Sequence, residues 1–423
     1  MPGHARTGGR DVIFAWEQCK LSDISEKSYE KNTDNKYSTV LTNSAEYGIV
    51  KQRDFFDKDI ANSSNISGYY VVRKNYFVYN PRISNQAKFG PINRNKLDES
   101  GIMSPLYLVF TVHDIDESFL ETLFQTTTWH RFMYQNGDTG ARADRFAIKD
   151  STFMSMPIKV PSLEEQHKLA LAFQKLDQTI TLHEEKKRQL ERLKSALLQK
   201  MFAYKSGYPA IRFEGFSDDW EQCKLSDISE KSYEKNTDNK YSTVLTNSAE
   251  YGIVKQRDFF DKDIANSSNI SGYYVVRKNY FVYNPRISNQ AKFGPINRNK
   301  LDESGIMSPL YLVFTVHDID ESFLETLFQT TTWHRFMYQN GDTGARADRF
   351  AIKDSTFMSM PIKVPSLEEQ HKLALAFQKL DQTITLHEEK KRQLERLKSA
   401  LLQKMFADKS GYPPVRFEGF SDK

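Results

Sequence analysis

The 423-residue chain carries 59 Lys and Arg against 55 Asp and Glu, a net charge of +4, which excludes a histone-like basic tail and an acidic solvating chain. Hydrophobic residues make up 39% and aromatics 13%, enough for substantial cores, and the length predicts two or three domains. No run approaches the ~18 apolar residues of a membrane span, residues 1–15 lack the apolar run of a secretory signal, and Cys19 and Cys223 are too few for a disulfide framework or a cysteine zinc site, so the chain reads as cytoplasmic.

Self-similarity decides the organisation. Residues Trp16 to Ala203 recur without a change as Trp220 to Ala407, 188 positions at an offset of 204. Solenoid units run to only about 20–50 residues, so each copy is a domain in itself. Such identity means a recent duplication or deliberate construction, and either way the two copies perform the same task. The phrase Arg212-Phe213-Glu214-Gly215-Phe216-Ser217-Asp218 precedes the second copy and returns at Arg416 to Asp422, so the chain begins a third copy and stops. At the front that phrase is missing, and residues 1–15 are read as a disordered leader standing in its place.

In chain order, residues 16–160 mix short apolar and β-branched runs (Tyr69–Val72, Tyr76–Tyr79, Leu106–Phe110) with Asn, Ser, Gly and Pro punctuation, the pattern of strands. One helix is predicted there, from Glu117 to Tyr134. Beyond Pro161 a capping box, Ser162 with Glu165, leads into apolar positions at Leu169, Phe173, Leu176, Ile180, Leu190, Leu197 and Met201, whose intervals alternate four and three. The same register puts His183, Lys187 and Lys194 on the seam, an imperfect heptad. The helix from Ser162 to Phe202 would be a rod of roughly 60 Å, and its duplicate, Ser366 to Phe406, offers an antiparallel partner. The predicted fold class is α+β: two mixed α/β domains, 16–160 and 220–364, separated by two long antiparallel coiled-coil helices, 161–203 and 365–408, with pseudo-two-fold symmetry. Residues 204–219 are a connector and 409–423 a tail.

Catalytic signatures are absent from the sequence. There is no GxxxxGK[ST] loop, GxGxxG or His-Glu-x-x-His, and Asn80-Pro81-Arg82 stops short of the Asn-Pro-Pro-aromatic motif with which amino-methyltransferases hold a flipped base. His113-Asp114-x-Asp116 is read as turn and cap residues. No metal site and no cofactor are expected.

One window stands out. Between Asp59 and Asp98 there is no acidic residue, while Arg73, Lys74, Arg82, Lys88, Arg94 and Lys96 supply six positive charges, interleaved with Tyr69, Tyr70, Tyr76, Phe77, Tyr79 and Phe89. The cations suit a phosphate backbone, and Asn80, Asn85, Gln86, Asn93 and Asn95 are side chains of the type that read base edges. The aromatics fit strand core as well as base stacking. A second candidate, followed by Arg145, is the glycine-flanked loop Gly137–Arg142, whose glycines allow close backbone approach and whose Arg142 is in reach of a guanine or a phosphate. The second copy repeats the set as Arg277, Lys278, Arg286, Asn289, Gln290, Lys292, Arg298, Asn299, Lys300, Arg346 and Arg349.

These residues make the chain resemble the specificity subunits of Type I restriction-modification systems. The resemblance covers essentially everything after residue 15. It is carried by Arg-Phe-x-Gly-Phe-x-Asp-x-Trp-Glu at 212–221, by the Gly-x-Arg loop before Phe146, and above all by Met156 to Gln166, with its Pro-x-Leu-Glu-Glu-Gln segment repeated at Pro365 to Gln370. It implies two target recognition domains, each binding half of a split site in double-stranded DNA, and paired helices that act as a ruler and dock two methyltransferase subunits. It also implies no active site in this chain, since partner subunits supply adenine methylation and ATP-driven cleavage by restriction and translocase subunits. The identity of the halves departs from the family pattern of two unlike domains and predicts a gapped palindrome. A stand-alone DNA-binding regulator and a coiled-coil scaffold are the other readings.

Overall fold

The computed structural model describes residues 15–55, 66–138, 144–202, 208–259, 270–342, 348–407 and 411–420. Two compact units divide the chain: unit 1 joins residues 1–183 to 389–423, and unit 2 is residues 184–388. Each is therefore built on one sequence copy and finished by the far end of the other copy's long helix. Residues 1–14, the bulk of the expected leader, and 139–143 lie outside the described residues.

In the first copy the strands are β1 (Glu17–Lys20), β2 (Ser25–Lys27), β3 (Leu41–Ser44), β4 (Gly48–Lys51), β5 (Tyr70–Val72), β6 (Phe77–Tyr79), β7 (Ile92–Arg94), β8 (Gly101–Met103), β9 (Leu108–Val112) and β10 (Pro157–Val160). The helices are α1 (Gln52–Phe55), α2 (Glu117–Phe124), α3 (His130–Asn136), α4 (Asp150–Met154) and α5 (Leu163–Lys200). The second copy repeats them as β11 (Glu221–Lys224) to β20 (Pro361–Val364) and α6 (Gln256–Phe259) to α10 (Leu367–Lys404).

The centre of unit 1 is an antiparallel sheet in the order β2-β9-β6-β7. Successive side chains of a strand leave opposite faces, and β6 uses both. Phe77 and Tyr79 face a core with Phe110, Phe119, Leu120 and Phe153, while Val78 faces a second one with Leu41, Val72, Met103 and Val109. All three residues of β6 are buried. The aromatics of the acid-free window are thus mostly sheet core: Phe77, Tyr79 and Phe89 are buried, with Tyr79 Oη donating to the Phe89 carbonyl at 3.0 Å.

The single helix expected over Glu117–Tyr134 is two, α2 and α3. Asp116 caps α2, its Oδ1 accepting from the Ser118 and Phe119 N–H groups. The helix ends where the Thr126 hydroxyl donates to the Leu123 carbonyl at 2.7 Å and Trp129 Nε1 to the Phe124 carbonyl at 3.1 Å. Side chains there take over the terminal carbonyls that a continuing helix would have bonded.

Helix α5 starts with the Ser162 hydroxyl accepting from the Glu165 N–H. The Glu165 carboxylate does not close the capping box; it is 1% exposed and takes two bonds from Arg416, at 2.9 and 2.6 Å. In unit 1, α5 up to His183 lies beside the end of α10, with Lys398 to Asp177 at 2.6 Å and Phe173 against Phe406. In unit 2 the end of α5 lies beside the start of α10, through Lys187 to Glu388 at 2.5 Å and Lys194 to Asp381 at 2.6 Å. As α5 advances by seven residues its partner retreats by seven, so the pairing is antiparallel with a heptad repeat. The lysines that made the seam look imperfect are ion-paired across it.

The phrase missing before the first copy is supplied from the other end of the chain. In unit 1 the Trp16 N–H donates to the Gly411 carbonyl at 3.0 Å, Phe417 packs on the core and Lys168 lies over the Phe420 ring. In unit 2 the connector plays this part, with Arg212 on Glu369, Phe213 on the core and Lys372 over Phe216. Among the described residues no helix is long and apolar enough to cross a membrane.

Candidate nucleic-acid interface

The expected DNA-contacting residues fall into two groups. The first is bound into the domain itself. Arg94, on β7, donates to Glu117, Ser118 and Glu121 of α2 and is largely buried, strapping helix to sheet. Lys96 pairs with Glu121 at 2.6 Å, Lys74 with Asp98 at 2.7 Å, and Arg73 with Glu30 and the Tyr37 hydroxyl. Its bond to Glu30 lifts the Arg73 guanidinium above the ordinary arginine value. Asn95 is fully buried, its amide donating to the Val72 and Arg73 carbonyls and its oxygen accepting from the Leu97 N–H, so it has no path to a base edge. Asn80 and Asn93 belong to a buried network with Asn43 that holds the ends of β6 and β7 together. A window free of acid along the chain is therefore not free of it in space, because Glu30, Glu117 and Glu121 arrive from other elements. The counterparts Arg277, Lys278, Arg298, Asn299 and Lys300 are engaged in the same way.

The second group sits on one loop between β6 and β7. Arg82, Asn85, Gln86 and Lys88 are exposed, and Arg145 lies alongside Arg82. The loop is rigidly based. Asn80 N–H donates to the Pro91 carbonyl and Asn80 Oδ1 accepts from the Arg82 N–H, both at 3.0 Å. Gly90, at φ +84°, brings the two strands of the loop so close that a Cβ there would stand 2.0 Å from the Asn80 carbonyl oxygen. At the tip, Ser84 and Ala87 exchange backbone bonds at 3.0 and 3.2 Å, presenting Asn85 and Gln86 as the two turn residues. Behind it, His130 packs edge-on against Phe89. Arg286, Asn289, Gln290, Lys292 and Arg349 form the same loop in unit 2. Arg142 and Arg346 lie outside the described residues. His113 contacts Asp114 at 2.9 Å, and Asp116 is occupied as a helix cap that also accepts from His167.

The loop offers exposed cations beside exposed amides on a backbone fixed by hydrogen bonds, the combination with which proteins position on phosphates and read base edges. Comparison with known proteins bears on the chain as a whole. The family model for the Type I restriction modification DNA specificity domain matches twice, over residues 15–192 and 217–396. A curated relative, the Type I restriction enzyme MjaVIII specificity subunit of Methanocaldococcus jannaschii, is 22% identical over 334 residues, covering 74% of this chain and 72% of its own. Among solved structures, the S subunit of a Type I restriction-modification system from M. genitalium aligns with a TM-score of 0.51 at 13% identity, over 96% of this chain and 98% of that one. A chain from a study of complex assembly and conformational transition in the type I R-M system aligns with a TM-score of 0.51 at 15% identity, over 95% and 98%. At these identities the two structures speak for the fold.

Proposed function

The chain belongs to the family of Type I restriction-modification DNA specificity proteins, and from that premise we propose that it directs a Type I complex to a gapped palindromic DNA site. Two recognition domains of identical sequence read identical half-sites, and the two half-sites stand in inverted orientation in the DNA, as in the palindromic operators of dimeric repressors. In this reading residues 16–160 and 220–364 are the recognition domains. The chain performs no chemistry: two methyltransferase subunits methylate one adenine per half-site, on opposite strands, and restriction and translocase subunits cleave with ATP. The DNA contacts centre on Arg82, Asn85, Gln86, Lys88 and Arg145 and their second-copy counterparts. Arg73, Lys74 and Lys96 would contribute by exchanging a carboxylate for a phosphate.

The observation that carries the proposal is the exact recurrence of 188 residues, each copy matching the specificity family. The test is methylation sequencing of DNA from cells expressing this chain with a family-matched methyltransferase subunit, beside cells lacking this chain. The expected result is a new N6-methyladenine signal confined to one gapped palindrome. An asymmetric motif, or no new motif despite a formed complex, overturns the proposal.

A further inference from the structure

Arg82 and Arg145 face each other in an antiparallel bridge. The Phe146 N–H donates to the Pro81 carbonyl at 2.8 Å and the Ile83 N–H to the Asp144 carbonyl at 3.0 Å. These bonds bracket the arginines, which makes them a non-hydrogen-bonded pair, the closer kind, with Cα atoms about 4.5 Å apart and both side chains on one face of the ladder. Like charges directly opposite one another destabilise a ladder. The compensation visible here is slight: Asp144 is 3.5 Å from Arg82, with both side chains more than half exposed. Among the described residues Arg145 has no carboxylate partner. Arg286 and Arg349 repeat the arrangement.

We infer that Arg82 and Arg145 clamp one DNA backbone phosphate, while Asn85 and Gln86 at the turn tip read an adenine edge in the major groove. This division of labour rests on the DNA-recognition reading above. A phosphate accepts from both guanidiniums and cancels the charge that sets them against each other; a guanine edge accepts hydrogen bonds but, being neutral, leaves the repulsion in place. The amides three and four residues along from Arg82, on the same turn, are of the right type for the paired acceptor and donor of adenine, N7 and N6. The hairpin and the Arg145 segment bridged to it thus hold both the positioning contact and the reading contact, in a register fixed by the hydrogen bonds between them.

The test measures DNA affinity over a salt series, using the full chain in complex with the methyltransferase subunit, on a duplex bearing the methylated site and on one of unrelated sequence. Replacing both arginines of each pair (Arg82→Gln and Arg145→Gln with Arg286→Gln and Arg349→Gln) should weaken both duplexes by the same factor and lower the salt slope by about 2, roughly 1 for each phosphate that is no longer neutralised. Asn85→Ala with Asn289→Ala should weaken the site duplex about 5- to 150-fold and leave the slope and the unrelated duplex unchanged. Without DNA, the arginine variant should melt at a higher temperature than the parent, since a repulsion is relieved; an arginine serving only the fold would show the reverse. A changed base preference with the slope retained would make the arginines base readers and overturn the clamp. Unchanged affinity and slope, with the parent still binding its site, would also overturn it while sparing the DNA reading. If the parent binds neither duplex, the DNA reading falls and takes the clamp with it.

Discussion

His130 illustrates how a single residue couples the interface loop to stability. It packs at 5.1 Å from the Phe89 ring and 4.5 Å from the Trp129 ring, half-buried behind Lys88. Burial, reinforced by the Lys88 charge, holds its imidazole below the ordinary 6.5, and His334 is held the same way by burial and Lys292. The unfolded chain binds the proton more readily than the folded one, so this contribution is complete above about pH 6.5 and is lost as pH falls toward the lowered folded value. His130→Gln with His334→Gln should flatten the fall in denaturant stability as pH drops below about 6.5. A slope equal to the parent's would assign the fall to other groups. At this scale the sequence was a partial guide. Arg94 and Arg82 look alike in a charge count, but one lies within reach of an acidic helix face that is 23 residues away in sequence and the other projects from a turn. Composition along the chain reports no such encounters, because carboxylates brought in by tertiary structure decide which cations stay free.

The helices were the most legible elements. The alternating four and three spacing from Leu169 to Met201 marked the seam, because a helical face depends only on local periodicity. The cations at Lys187 and Lys194 read as flaws since their partners, Glu388 and Asp381, lie some 200 residues on. They are better understood as fixing direction and register, since a parallel pairing would not bring these charges together. The break between α2 and α3 was illegible for a different reason: helical periodicity runs through Thr126–Trp129, and side-chain bonds to the terminal carbonyls end the helix. If the helices act as a ruler, inserting one heptad at matched points of α5 and α10 keeps the seam and adds about 10 Å. Methylation sequencing of that variant should show a gap longer by roughly 3 base pairs, at 3.4 Å each, with the half-site bases unchanged. Altered half-site bases would mean that ruler and reader are not separate.

For the molecule as a whole, the decisive feature is how unit 1 is completed. Its Glu165 is buried against Arg416, and breaking such a pair from one side costs about 3–5 kcal/mol because a buried charge is left without its partner. Arg416→Met should therefore weaken unit 1, and Arg212→Met unit 2, whose Glu369 has the same role. Peptides from the two copies are chemically identical, so exchange mapping cannot separate them, but tryptophan fluorescence can. Trp16 and Trp129 report on unit 1, and Trp220 and Trp333 on unit 2. Each single variant should shift about half of the unfolding amplitude to lower denaturant, and the double variant all of it. A uniform shift in the single variants would mean that the pair does not act unit by unit.

The same closure sets an order of events during biosynthesis. Residues 16–183 leave the ribosome first, yet the helix end and the Arg416 segment that finish their unit follow only after all of unit 2 has been made. At ~5–20 residues per second, that interval is on the order of 10–40 s. Unit 2, whose parts are contiguous in the chain, is free to close in the meantime. Unit 1 can therefore be completed only after unit 2 has been made, although most of it is synthesised earlier. Throughout the wait it exposes the Trp16 and Phe173 surface that Phe406 will eventually cover, which is where a nascent chain of this design would draw on chaperones.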